Sequence, residues 1–204
     1  MEKFGLVIIG AHIGVHILKD IDEYKNQKIL LIEPVPHNLK SLRKNIPKYE
    51  TIIIEPITVG KNNEIRTFYF VKENSIHKLG KHWASGIGSF DKQHILNHKT
   101  KRFKISEDDI EKINIESMTF NKLMNKHSIS EIDKLQVDVE GAEYEILDSI
   151  DYKNISIDKI FFEFKHFDGT FVEGKKLEMI KKKLISNNFN LTQIDQENIL
   201  AQKK

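Results

Sequence analysis

"LVIIGAHIGVHILKDI", residues 6–21, stands almost at the start of the chain. Four apolar residues, Leu6 to Ile9, run into Gly10, and Gly14 follows four residues later. Ile13, Ile17, Leu18, Ile21 and Tyr24 then recur at helical spacing. An apolar run without alternation is the pattern of a strand buried on both faces. A strand, a tight glycine turn and a helix in that order begin a parallel α/β sheet.

The chain continues in the same rhythm. "KILLIEP" (28–34) is a second buried strand ending in Glu33 and Pro34, and "PHNLKSLRKNI" (36–46) is a helix with Pro36 in its first turn. "YETIIIEPITV" (49–59) is a third strand, and "EIRTFYFV" (64–71) is expected at the margin of the same sheet. Residues 72–101 show no clear period and read as loop, with Gly80, Gly86, Gly88 and the single Trp83. "FKI" (103–105) and "INIESMTF" (113–120) suggest short strands and "TFNKLMNKH" (119–127) a helix. "DKLQVDVEGAEYEILDSI" (133–150) is a strand, a turn at Glu140–Gly141, and a helix buried through Ala142, Ile146, Leu147 and Ile150. "IDKIFFEF" (157–164) is a further strand. "EGKKLEMIKKKLISNNF" (173–189) is a helix with Leu177, Ile180, Leu184 and Ile185 inward, and "NLTQID" and "NILAQK" close an antiparallel strand pair at the sheet edge. With no internal repeat and no linker-like stretch, residues 1–204 are expected to form one domain on a mostly parallel sheet with right-handed crossovers.

Composition narrows the chemistry. With 39% hydrophobic and 30% charged residues, the 204-residue chain is globular rather than disordered. The net charge is +2, and the basic residues are mostly Lys spread along the chain, with Arg only at 43, 66 and 102. That spread argues against a nucleic-acid face, although residues 81–104 are locally basic. With no Cys, disulfides, thiolate nucleophiles and Cys-based zinc sites are excluded. No apolar run approaches the roughly 18 residues of a membrane span. Two His interrupt the N-terminal apolar stretch and no small-residue cleavage site follows, which disfavours a signal peptide. A cytoplasmic protein with no membrane partner is expected; its oligomeric state is not legible.

In open α/β sheets the ligand lies at the carboxyl ends of the strands, near the switch in strand order. The loop Gly10–Ala11–His12–Ile13–Gly14 sits there, where small residues let backbone amides approach a ligand and a helix N-terminus favours negative charge. Glu33, ending the second strand, is placed to accept hydrogen bonds from both hydroxyls of a ribose. The dinucleotide fingerprint G-x-G-x-x-G is not matched by G-A-H-I-G, and no G-K-[ST] follows, so neither a dinucleotide loop nor a P-loop is present. An adenosyl ligand without phosphates, S-adenosylmethionine, fits better. A plain strand-to-helix turn without a ligand is the alternative.

Several blocks in register, "IIGAHIGVHIL", "LIEPVPHNLKSLRKNI", "WASGIGSF", "IDKLQVDVEGAEYEIL" and "KIFFEFKH", resemble the FkbM family of S-adenosylmethionine-dependent methyltransferases over nearly the whole chain. The resemblance implies a class I methyltransferase fold: a Rossmann-like three-layer α/β sandwich on a seven-stranded, mostly parallel sheet with the last strand antiparallel. It implies methylation of a hydroxyl on a sugar, glycan or small secondary metabolite. Carried over by position, Gly10, Ala11, His12 and Gly14 form the cofactor loop with Glu33 and Pro34, and Asp138 and Glu140 stand beside the methyl donor. Two features depart from the family pattern. Its Asp before the glycine loop is Ile9 here, and the chain opens directly at the first strand, so a more open site, or a fragment, is expected.

Methyl transfer requires alignment of donor and acceptor and a base for the acceptor proton. Asp138, Glu140 and His166 are the candidates, as base or as ligands of a divalent cation. If the strand stays extended to Glu140, Asp138 and Glu140 project to one side. Glu143 and Glu145 read as first-turn helix acids. Glu163 interrupts an apolar strand and needs a partner. Trp83 is expected to cap the pocket or pack in the core, Ser85 and Ser89 to contact a ligand, and His12 to contribute its backbone. A catalytically degenerate binding module and, further off, an NAD-type oxidoreductase are the other functional readings.

Overall fold

A computed structural model describes residues 1–80, 82–100, 103–169 and 172–204, with the side chains of 82, 83, 99, 100 and 103 left aside. The side chain of Trp83 therefore lies outside the described residues. In chain order the strands are β1 Glu2–Ile9, β2 Lys28–Ile32, β3 Ile52–Glu55, β4 Thr58–Val59, β5 Glu64–Val71, β6 Gly88–Ser89, β7 Lys99–Thr100, β8 Phe103–Lys104, β9 Ile110–Met118, β10 Ile129–Val137, β11 Ser156–Glu163, β12 Phe189–Gln193 and β13 Asn198–Lys203. The helices are α1 Leu18–Glu23, α2 Pro36–Asn45, α3 Glu73–Leu79, α4 Lys92–Asn97, α5 Phe120–Lys126, α6 Glu143–Ser149 and α7 Lys175–Ser186.

The main sheet has seven strands in the order β12-β13-β11-β10-β1-β2-β3. β1 pairs parallel with both β2 and β10, and β10 with β11. β13 runs antiparallel between β11 and β12. The terminal strands thus form the expected antiparallel pair at the edge, with β13 one place in and β12 outermost.

The sheet is covered on both faces, as its unbroken apolar strands require. Leu6, Ile8, Ile29 and Leu31 face Ile17 and Ile21 of the α1 side and Leu42 and Ile46 of the α2 side. Val7, Ile9, Leu30, Ile32, Leu135 and Val137 face α5, α6 and α7 through Leu123, Ile146, Leu147, Leu177, Ile180 and Leu184. Each such side chain, fully buried, contributes about 1.5–3 kcal/mol of transfer free energy. Two helix expectations shift: Ile185 is 55% exposed, so α7 buries a narrower face, and Leu18 is 37% exposed. After Gly14 the chain makes a 3-10 turn at Val15–Ile17 before α1 begins, so no helix N-terminus opens directly on the glycine loop.

"EIRTFYFV" does not join the main sheet. It is β5 of a second, four-stranded sheet ordered β4-β9-β5-β6, paired antiparallel along its length with β9. Pro56 separates β3 from β4, and the chain passes there from the first sheet to the second. Residues 72–101, expected as loop, hold α3, a 3-10 turn His82–Gly86, β6 and α4. Elements of two to seven residues are too short to print a period on the sequence. Val71, Ala84, Ile87, Ile95, Ile105 and Ile110 form a small core of their own beneath them. Among the described residues no helix is long and apolar enough to cross a membrane.

Candidate active site at the carboxyl edge of the main sheet

The strand order reverses between β1 and β10, and a cavity of about 720 Å3 opens at their carboxyl ends. That is within the usual ~300–1,000 Å3 of small-molecule sites. Gly10, His12, Glu33, Pro34, Asp138 and Glu140 line one side; Thr58, Arg66, Phe68, Ser89 and Phe90 of the second sheet line the other. The Arg66 guanidinium lies 3.7 Å from the Phe90 ring centroid, which holds a cation on that wall.

Gly10 is required by the crossing of β1 and β10. Its φ is +95°, and a Cβ there would stand 1.7 Å from the Asp138 carbonyl oxygen. The loop is pinned by the Gly10 and Ala11 amides donating to the Ile32 carbonyl, and by the Asp138 amide donating to that of Ile9. Not all loop residues face the cavity. Ala11 is fully buried, and a Cβ on Gly14 would meet Leu42 and Ile46, so Gly14 is small because α2 packs on it. Ile9, in place of the family's acid, is buried and lines the cavity floor.

Glu33 is almost wholly buried, yet well supplied. Its Oε1 accepts from the Val35 amide at 2.9 Å and Asn38 Nδ2 at 3.2 Å, and its Oε2 accepts from the His12 amide at 2.9 Å. The His12 amide is thus committed to Glu33, and its Nε2 meets Ser85 Oγ at 2.6 Å. With about four lone-pair positions on a carboxylate, three are taken and one on Oε2 is left. Burial pushes the Glu33 carboxyl up to about 7 against the pull of its amide donors, and holds the His12 imidazole down to about 4.

The β10–α6 connection carries the acids. β10 ends at Val137, and the backbone turns left-handed at Glu140 (φ +56°) and Gly141 (φ +115°). The premise of an extended strand to Glu140 fails for that reason. Asp138 instead groups with Glu143 and Glu163, while Glu140 groups with His94, His98 and His166. A cation shared by Asp138, Glu140 and His166 is not what this geometry offers. His166 itself stands behind Glu140, its side chain only 5% exposed and Nε2 3.1 Å from Glu140 Oε2.

Glu143 is more than a first-turn acid. It is buried, and its carboxylate folds back to accept from the Val139 and Gly141 amides at 2.9 and 3.0 Å, fixing the turn that presents Asp138 and Glu140. Glu163 has the partner it needed, Lys165 Nζ at 2.8 Å. Three carboxyls crowded in low dielectric cannot all ionise easily. Burial, with Glu140 beside it, raises Asp138 to about 6; burial raises Glu143 to about 7 and Glu163 to about 8. Glu140 is the one held low: burial opposes ionisation, but His166 and Lys165 outweigh it. Asp138 is thus an exposed-to-cavity carboxylate poised near neutrality. Sequence reasoning missed His94 and His98, although the i, i+4 spacing in "HILNH" was a usable signal; it also missed Asn38, which no spacing marks.

A seven-stranded sheet with its last strand antiparallel, and a glycine loop at the switch point facing an acid on the next strand, define a class I, Rossmann-like methyltransferase. The family model described as the methyltransferase FkbM domain matches residues 9–191, and the chain belongs to that family of S-adenosylmethionine-dependent methyltransferases. Among solved structures, the chain is similar to precorrin-6y C5,15-methyltransferase from Geobacter metallireducens GS-15 (10% identity, 100% of this chain and 82% of that one, TM-score 0.47). It is also similar to Aeropyrum pernix fibrillarin in complex with natively bound S-adenosyl-L-methionine (9% identity, 97% and 65%, TM-score 0.45). A third is the N-methyltransferase NodS from Bradyrhizobium japonicum WM9 (10% identity, 100% and 86%, TM-score 0.41). No curated protein matches the chain in sequence.

Proposed function

We propose that the chain methylates a hydroxyl of a sugar, glycan or small metabolite, with Asp138 as the general base. The observation that carries this reading is that Gly10, Glu33 and Asp138, from three different strand ends, border one cavity. S-adenosylmethionine, when bound, supplies an activated methyl group. The residues present fit it. The loop at Gly10 and His12 and the spare lone pair on Glu33 Oε2 suit a neutral adenosyl end, with Pro34 beside them. Asp138 accepts the proton that the hydroxyl loses as its oxygen takes the methyl. A carboxyl raised to about 6 is mostly ionised at neutral pH and still basic enough to be useful. The wall from the second sheet, with Arg66 and Phe90, faces the acceptor.

A second reading, a binding module without catalysis, is favoured by Ile9, which puts an alkyl group where the family's acid stands. Titration calorimetry with S-adenosylhomocysteine, followed by assay on a sugar panel, separates the two. Binding with turnover supports the enzyme, binding without turnover the module, and no heat at all overturns both.

A further inference from the structure

Behind the Glu140 wall of the cavity lies a group of side chains that methyl transfer does not use. His94 lies on α4 and His98 caps its C-terminus, their ring centroids 4.9 Å apart. Glu140 comes from the β10–α6 connection and His166 from the segment after β11. One ligand atom from each lies within 4.8 Å of all the others. Three chain segments, far apart in sequence, thus bring three imidazoles and one carboxylate to a point.

The hydrogen bonding around that point does not close. His94 Nε2 is buried and has no hydrogen-bond partner among the described residues, and His166 Nε2 and Glu140 Oε2 face each other at 3.1 Å without well-aligned hydrogen-bond geometry. A buried imidazole nitrogen without a partner, beside a poorly aligned pair aimed at the same place, marks room for an occupant. His98 sharpens the case. Its Nδ1 lies 2.9 Å from the His94 carbonyl oxygen, which can only accept, so Nδ1 carries the proton. In the neutral ring the Nε2 lone pair then faces Glu140 Oε2, 3.8 Å away. Two acceptors pointed at each other leave a place for a cation between them, a proton on Nε2 or a metal ion. A backbone carbonyl holding Nδ1 of an imidazole is also the usual outer support of a metal-bound histidine.

We propose that His94, His98, Glu140 and His166 form a site for a zinc-type divalent cation. Three nitrogens and one carboxylate oxygen suit a borderline ion over calcium or magnesium, which favour oxygen. Tetrahedral zinc with bonds of about 2.0–2.1 Å sets its ligands about 3.3 Å apart, so small rotations of the side chains complete the shell. The ion ties α4 to the connection after β10, which borders the cavity, and to the segment after β11, and fixes the carboxylate of Glu140. Asp138 takes no part. The site stands whether or not the chain transfers methyl groups.

The test uses the full chain, stripped with a chelator and desalted, and titrated with Zn2+ against a chromophoric chelator. One Zn2+ per chain is expected. His98→Gln is expected to weaken binding at least about 10²-fold, the upper end of what an outer-shell loss alone costs. His77→Ala, exposed on α3, leaves it unchanged. Far-UV circular dichroism checks that each variant is folded. Co2+ added to the stripped wild type gives a second readout that needs no variant, with intense visible bands expected for four-coordinate nitrogen and oxygen ligation. Absence of stoichiometric Zn2+ binding, undiminished binding by folded His98→Gln, or a weak octahedral Co2+ spectrum would each overturn the proposal.

Discussion

Asp138 and Glu33 sit on the same cavity rim but answer to different measurements. Asp138→Asn removes the base and keeps the shape, so kcat is expected to fall about 10²–10⁴-fold while S-adenosylhomocysteine binds as before. Because the working form is ionised, the wild-type rate is expected to rise with pH through an apparent value near 6 and level off above it, measured as kcat against pH. Glu33→Gln removes a charged acceptor next to the loop; loss of one charge-assisted hydrogen bond of about 1.5–3 kcal/mol weakens S-adenosylhomocysteine roughly tenfold to a hundredfold by calorimetry. Both residues were legible because they close apolar strands, where a lone acid stands out. Glu143 was not, since a first-turn acid looks the same whether it points to water or, as here, folds back on the Val139 amide. The i, i+4 spacing of His94 and His98 was visible, but α4 has only six residues, too few to show where that pair points.

Helix α7 and the β1 turn show what an element tolerates. Leu184 is fully buried and Ile185, its neighbour, is 55% exposed. Leu184→Ala is therefore expected to cost about 2–5 kcal/mol and Ile185→Ala no more than about 0.5 kcal/mol, compared by urea denaturation. The turn allows less. A methyl at Gly10 would overlap the Asp138 carbonyl on a backbone at φ +95°, and no flexible side chain is there to yield. Gly10→Ala is expected to leave little folded protein at any temperature, read by circular dichroism. The seven-residue apolar cadence of α7 could be read from sequence, but its inner stripe was drawn one residue too wide, since apolar character alone does not say where a helix face ends. The long strands were legible because burial on both sides leaves no polar residue to confuse the period; β5 was assigned to the wrong sheet because its period says that it is a strand and nothing about its partner.

For the molecule as a whole, the buried acids set the response to pH. Glu33 and Glu143 titrate near 7 and Glu163 near 8 when folded, against 4.5 for the free group. Above 4.5 the unfolded chain has lost protons that the folded chain still holds, so stability falls as pH rises through the folded values. The histidines run the other way: His12, His16, His37 and His94 are lowered by burial, and their contribution is lost only as pH falls below 6.5. Between about pH 6.5 and about pH 8 the acids act alone, and the melting temperature is expected to drop across that window, followed by circular dichroism. The main sheet's parallel character followed from the alternation of strands and helices; the second sheet did not show in the sequence, since its strands pair across intervening turns and short helices. That second sheet has a consequence of its own. One bank of the cleft is laid down by residues up to 35 and from 138 onward, the other entirely by the stretch from 57 to 91. Substitutions along that single stretch can recontour the far bank for a new guest while every residue gripping the near one keeps its place.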